Sequence, residues 1–217
     1  MSHLFLMDMD GTLIDSNGIW KDVDIQFLAR RGMPYTKDYY EGVAHTIFPL
    51  AAKFTKEFCK LEESCEEIMA EWMDLAEGLY STVTIKPGVR EYLEQCRAEG
   101  IRMVLVTSSV PEHCRTAIRH LDLEQYFDGI TFAQELHLEK KDPAIWLTVA
   151  EQNGIRPENC TVFDDSLSAC RGAQAAGMRV IGVYDSFFAA DEDNMRDICD
   201  GYIRSFEELL VSPVTVK

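Results

Sequence analysis

The sequence predicts an α/β fold: a parallel sheet covered by helices, with a helical subdomain inserted near its start. Three observations carry this. Helix, glycine, strand units repeat from about residue 86 onward. The strands are continuous apolar runs, as expected where both faces of a sheet are buried. Residues 15 to 85 hold no convincing buried strand and carry amphipathic helical patterns instead. At 217 residues the chain can hold one ordinary core plus an insertion, and 47% hydrophobic residues make it globular.

Taken in order, Leu4-Phe5-Leu6-Met7 is the first strand, ended by the polar stretch that closes on Ser16-Asn17-Gly18. A helical pattern follows in Ile19, Val23 and Phe27, and another in Ile68, Trp72, Leu75 and Leu79, led by Ser64 and Glu67 at capping-box spacing. The Trp and Met residues of this insertion read as its core. Gly88 to Glu99 is a helix closed by Gly100, ahead of the strand Met103-Val104-Leu105-Val106. A shorter strand is expected at 130–132. Helices over 143–153 and 166–176 end at Gly154 and Gly177, before Thr161-Val162-Phe163 and the run from Val180 to Tyr184. A last strand falls at 201–203. The expected division is a core of 1–14 with 86–217 and an insertion of 15–85, without repeats or a long linker.

Lys and Arg total 21 against 37 Asp and Glu, a formal charge of −16 that repels nucleic acid and anionic membrane surfaces. Neither is expected as a partner. No run approaches the roughly 18 apolar residues of a membrane span, and the N-terminal apolar run is too short and lacks a signal peptide's basic flank. Seven cysteines without a Cys-x-x-Cys pair fit free thiols, so the expected compartment is the cytoplasm.

In a parallel sheet, ligands bind beyond the carboxyl ends of the strands, so the residues after each apolar run carry the chemistry. Asp8-Met9-Asp10-Gly11-Thr12 follows the first run, and two carboxylates two residues apart at a strand's end point the same way. One could attack phosphorus while the other handles a proton, with Mg²⁺ offsetting their charge. Asp-Gly between apolar residues also reads as a hairpin turn. Thr107-Ser108-Ser109 offers a hydroxyl and helix-opening amides to phosphate oxygens, or simply caps a helix. Asp164-Asp165-Ser166 is a second acidic cluster at the same sheet edge, costly to bury without a metal unless one aspartate caps the next helix. Lys140 and Lys141 precede a helix start, where a positive charge is unfavourable; service to an anion is one reading of a lysine there, and a solvated surface position is the competing one.

Together and in that order, Asp8-Met9-Asp10-Gly11-Thr12, Thr107, Lys140 and Asp164-Asp165-Ser166 resemble the four motifs of the haloacid dehalogenase superfamily. Phe163-Asp164-Asp165-Ser166 and Lys86-Pro87-Gly88-Val89 look like its sugar-phosphatase branch. The resemblance implies a Rossmann-like parallel core with an α-helical cap and a Mg²⁺-dependent phosphatase acting on a small phosphorylated metabolite. By resemblance Asp8 is the nucleophile, Asp10 the general acid and base, Thr107 a donor to the phosphoryl group and Lys140 the neutralising cation. Asp8, the Asp10 carbonyl and Asp165 would hold Mg²⁺, with Asp164 a further ligand or bound through the metal's water. Lys140 is chosen over Lys141 because the branch places this lysine three residues before the proline matching Pro143. Ser108 is a further candidate for phosphate binding. Trp20, His45 and Lys53 are candidate substrate contacts. A halide-releasing dehalogenase is disfavoured because such relatives lack the aspartate at position 10. A phosphosugar mutase is the nearest rival, although β-phosphoglucomutases carry a histidine where ungapped alignment gives Trp20. A catalytically inactive binding module is the rival outside enzymology.

Overall fold

A computed structural model of the chain describes residues 3–43 and 48–211. Its strands are β1 (Leu4–Met7), β2 (Ile14–Asp15), β3 (Thr84–Ile85), β4 (Arg102–Thr107), β5 (Gly129–Phe132), β6 (Cys160–Asp164), β7 (Arg179–Val183) and β8 (Gly201–Ile203). Between β2 and β3 lie the helices α1 (Ile19–Arg30), α2 (Lys37–Val43), α3 (Phe48–Cys59) and α4 (Cys65–Tyr80). After β3 come α5 (Val89–Ala98), α6 (Pro111–His120), α7 (Ala133–Leu136), α8 (Pro143–Gln152), α9 (Leu167–Ala175), α10 (Glu192–Ile198) and α11 (Glu207–Val211).

Six strands form one parallel sheet in the order β5-β4-β1-β6-β7-β8, and they are the six read from the sequence. The chain leaves β1 for β4 and β5 on one side and later fills the other side with β6, β7 and β8. That reversal puts a crevice at the carboxyl end of β1. Met7 is level with Leu105 and Phe163, so β1, β4 and β6 deliver their following residues to one edge. Each β1 side chain is buried because helices cover both faces. On one face Leu4, Leu6, Val104 and Val162 pack with Ile145, Trp146 and Val149 of α8 and with the small Ala169 and Ala173 of α9. On the other, Phe5, Tyr92, Phe163 and Phe206 form an aromatic layer with ring centroids 5.3–6.4 Å apart. Gly100, Gly154 and Gly177, expected as helix ends, adopt φ of 72°, 66° and 79°, the left-handed conformation that stops a helix without a Cβ penalty.

The chain divides into two compact units, one of residues up to Asn17 with Val83 onward, the other Gly18–Thr82. Residues 15–17 and 83–85, assigned to the insertion from sequence, thus belong to the sheet-bearing unit. The reason is local pairing: Ile14 and Asp15 form a two-residue antiparallel ladder with Ile85 and Thr84. The Asp-Gly turn is also present, with Gly11 N donating to Ile14 O at 2.9 Å, but the chain emerging from it joins β3 and does not return along β1.

In the unit Gly18–Thr82, α4 packs on α1 and α3, and Val23, Phe27, Ile68 and Trp72 are buried between them. Its capping box is formed in full, Glu67 N donating to Ser64 Oγ and Ser64 N to Glu67 Oε2. Two core expectations are corrected. Trp20 is 40% exposed, because it sits one residue off the Ile19, Val23, Phe27 stripe, and Met33, Met69 and Met73 are only half-buried.

Asp24 is half-buried in this unit and accepts the Tyr39 hydroxyl at 3.1 Å. Burial pushes its carboxyl up to about 6. A raised carboxyl pKa means that the folded state holds the proton longer than the unfolded chain, so stability falls as pH rises from about 4 to about 6. Asp24→Asn, which keeps an oxygen for Tyr39, is expected to melt higher than wild type at pH 7. The gap should close below about pH 4, as thermal melts across pH would show.

Candidate active site

The site grows from the ends of β1, β4 and β6. Asp8 N donates to Phe163 O at 2.9 Å, which ties the first residue after β1 to β6. Asp8 as a residue is 4% exposed. Lys140 Nζ lies 2.5 Å from Asp8 Oδ1 and 2.7 Å from Asp164 Oδ2, bridging two strand ends. The other Asp164 oxygen accepts Ser166 N at 2.9 Å, so Asp164 serves both the ion pair and the entry to α9. Asp165 accepts Thr12 Oγ1 at 3.2 Å and Asn17 Nδ2 at 2.7 Å.

Lys140 is held by its own backbone. Trp146 Nε1 donates to the Lys140 carbonyl at 2.8 Å, and Asp142 caps α8 by accepting Ala144 N at 2.9 Å. Gly172 of α9 faces that carbonyl so closely that a Cβ would collide with it. Lys141 is exposed and pairs with Glu139, so only one of the two lysines enters the site.

Asp8, Asp164 and Asp165 each present an oxygen within 4.8 Å of the others, all buried, with Lys140 as the paired ammonium. Burial raises the Asp8 carboxyl, against Lys140 and with help from Asp10. Burial and the Asp8 charge raise Asp164 to about 6, with Lys140 opposing, and burial with its two acidic neighbours raises Asp165 to about 8. Burial disfavours the Lys140 ammonium, yet Asp164 and Asp8 outweigh it and hold its pKa above the usual lysine range. Three hard oxygen donors whose charges are uneasy together fit a divalent cation such as Mg²⁺.

The Asp10 carboxylate lies outside that acidic cluster, and its oxygens accept Ser16 Oγ at 2.6 Å and Ser109 Oγ. Two hydroxyls from different loops fix its orientation. Thr107 is fully buried, and its Oγ1 accepts Ser109 N at 3.0 Å, which leaves the hydroxyl proton to donate elsewhere. Ser108 is exposed; Ser109, not Ser108, reaches Asp10. Trp20 and Lys53 belong to the helical unit and are exposed there, and His45 lies outside the described residues.

Sequence reasoning did not foresee that Thr12, Ser16, Asn17 and Ser109 orient the carboxylates, and it left Lys86 without a role. Lys86 Nζ donates to Gly11 O at 2.5 Å, Tyr184 O at 2.7 Å and Asp185 Oδ2 at 3.1 Å, tying the turn after Asp10 to the end of β7. A lysine immediately before Pro87-Gly88 was the available signal.

The family model for haloacid dehalogenase-like hydrolases matches residues 5–183. The chain is 31% identical over 183 residues to a phosphorylated carbohydrates phosphatase of Thermotoga maritima, covering 83% of this chain and 85% of that one. It is 27% identical to hexitol phosphatase B of Escherichia coli, over 82% of each chain. A crystal structure of a Thermotoga maritima protein provisionally assigned as a β-phosphoglucomutase superposes with a TM-score of 0.85 at 28% identity, over 97% of each chain. The chain belongs to the haloacid dehalogenase-like hydrolases, in the branch of sugar phosphatases and β-phosphoglucomutase-like proteins.

Proposed function

We propose that the chain is a Mg²⁺-dependent phosphatase that hydrolyses a small phosphorylated metabolite, of the sugar phosphate or phosphoglycolate type, through an aspartyl-phosphate on Asp8. The class, a phosphoric monoester hydrolase, follows from family membership and from phosphatase relatives. The observation that carries the mechanism is the pairing of a buried Asp8 with Lys140 beside an Asp10 oriented by two serine hydroxyls.

Asp8 attacks phosphorus, the bond to the leaving oxygen breaks, and Asp10 gives that oxygen its proton. Asp10 then takes a proton from the water that attacks the aspartyl-phosphate, and the phosphorus bond to Asp8 breaks. Lys140 offsets the charge of Asp8 and of the phosphoryl oxygens, while the Thr107 hydroxyl and the Ser108 amide donate to those oxygens. Mg²⁺ held by Asp8, Asp165, the Asp10 carbonyl and Asp164 would offset charge on the transferring group. The helical unit Gly18–Thr82 acts as the cap that excludes water and selects the leaving group. Trp20, whose indole has no basic nitrogen, disfavours the mutase reading. The seven free cysteines fit a reducing cytoplasm.

A phosphate-release screen over phosphorylated sugars, acids and nucleotides tests this. EDTA is expected to stop release and Mg²⁺ to restore it; full activity in EDTA would remove the metal from the mechanism. Gly172→Ala is expected to lower kcat at least tenfold, roughly, by displacing the Lys140 carbonyl, with a smaller change in KM. Steady-state kinetics on the purified variant would read both parameters.

A further inference from the structure

We propose that a cavity inside the helical unit binds an organic ammonium group, seated between aromatic rings and the Asp24 carboxylate. The cavity measures about 300 Å³ and is walled by Trp20, Phe48 and Trp72 with Val23, Ala51 and Asp24. Its rings meet at steep angles, Trp20 to Phe48 at 74° with centroids 5.6 Å apart and Phe48 to Trp72 at 59° and 5.4 Å. Rings so disposed form adjacent walls, not a stack, and aromatic walls attract cations through their quadrupoles.

The carboxylate points to the same occupant. Asp24 Oδ1 accepts the Tyr39 hydroxyl, and among the described residues Asp24 has no cationic partner. Among the described residues that line it, none is Lys, Arg or His. A half-buried carboxylate in aromatic surroundings is unfavourable alone, which is why its pKa stands near 6. An ammonium supplies the missing charge, whereas a neutral polyol would supply hydrogen bonds only. A purely hydrocarbon occupant would leave the Asp24 carboxylate without a counter-charge. The net charge of −16 raises the local concentration of cations over that of anions.

The ammonium could belong to the substrate's leaving group or to a free amine acting as an effector. Binding is read without turnover, so the proposal stands or falls apart from the phosphatase reading. Choline titrated into the full chain is expected to change tryptophan fluorescence saturably, since Trp20 and Trp72 line the cavity and Trp146 is buried in the sheet unit. Its uncharged isostere, with tert-butyl in place of trimethylammonium, should bind at least tenfold more weakly, roughly. Asp24→Asn and Trp20→Ala should each weaken choline by a similar factor; melts establish that both variants are folded. Equal binding of the isostere, or choline affinity unchanged in both variants, would overturn the proposal, as would the absence of saturation. Kinetics then assign the source: a kcat/KM for phosphocholine above that of its uncharged isostere, lost in Asp24→Asn, makes the ammonium part of the substrate. Choline-dependent turnover of an uncharged phosphate ester makes it an effector.

Discussion

Asp8→Asn is expected to hydrolyse phosphate esters at least about 10⁴-fold more slowly than wild type while keeping a cooperative melt. The amide is nearly isosteric, so the tie between the chain after β1 and the end of β6 survives, and Asp8 N still donates to Phe163 O. What is lost is the nucleophilic oxygen. Lys140 retains Asp164 at 2.7 Å, and removing a carboxylate whose burial opposes its charge relieves the crowding around Asp165, so stability should change little. Kinetics and thermal melts on one preparation check both halves. Unchanged hydrolysis by pure Asp8→Asn protein would sink the mechanism.

Lys140→Met is expected to fail in a different way, losing activity and stability together. Methionine matches the length and apolar stem but leaves Asp8 and Asp164 buried without their shared ammonium. Removing one partner of a buried charge pair typically costs about 3–5 kcal/mol, because the remaining charge is uncompensated. Melting in EDTA should fall accordingly, and Mg²⁺ should raise the melting temperature more in Lys140→Met than in wild type, since a cation would replace a cation. Calorimetry with and without Mg²⁺ reads the difference. Equal Mg²⁺ shifts in the two proteins would mean that Lys140 and the metal do not share the same carboxylates.

The sheet was legible in the sequence because burial on both faces writes continuous apolar runs, and the closing glycines mark where each helix stops. From there, the strand ends led to Asp8, Thr107 and Asp164-Asp165, while the choice of Lys140 over Lys141 rested on the family resemblance. Single-residue choices were less legible. Ser108 and Ser109 are chemically alike, and only the exit path from β4 decides that Ser109 turns to Asp10. Thr12 and Asn17 meet Asp165 across about 150 residues of chain, which no local pattern encodes. The β2–β3 ladder is two residues long, too short for an alternation, so it moved the boundary of the insertion without warning. Trp20 read as core because large aromatics usually are, yet its helical phase sets it beside the buried stripe.

The central claim is the covalent step at Asp8, and trapping the phosphoenzyme tests it most directly. Wild-type protein mixed with a substrate found in the phosphate-release screen and quenched in acid within one turnover should carry a single phosphoryl group. Peptide mapping by mass spectrometry should place it on Asp8, with none in Asp8→Asn. A turnover-competent enzyme that yields no phosphoryl adduct under single-turnover quenching, or one that carries it on another residue, would contradict the account.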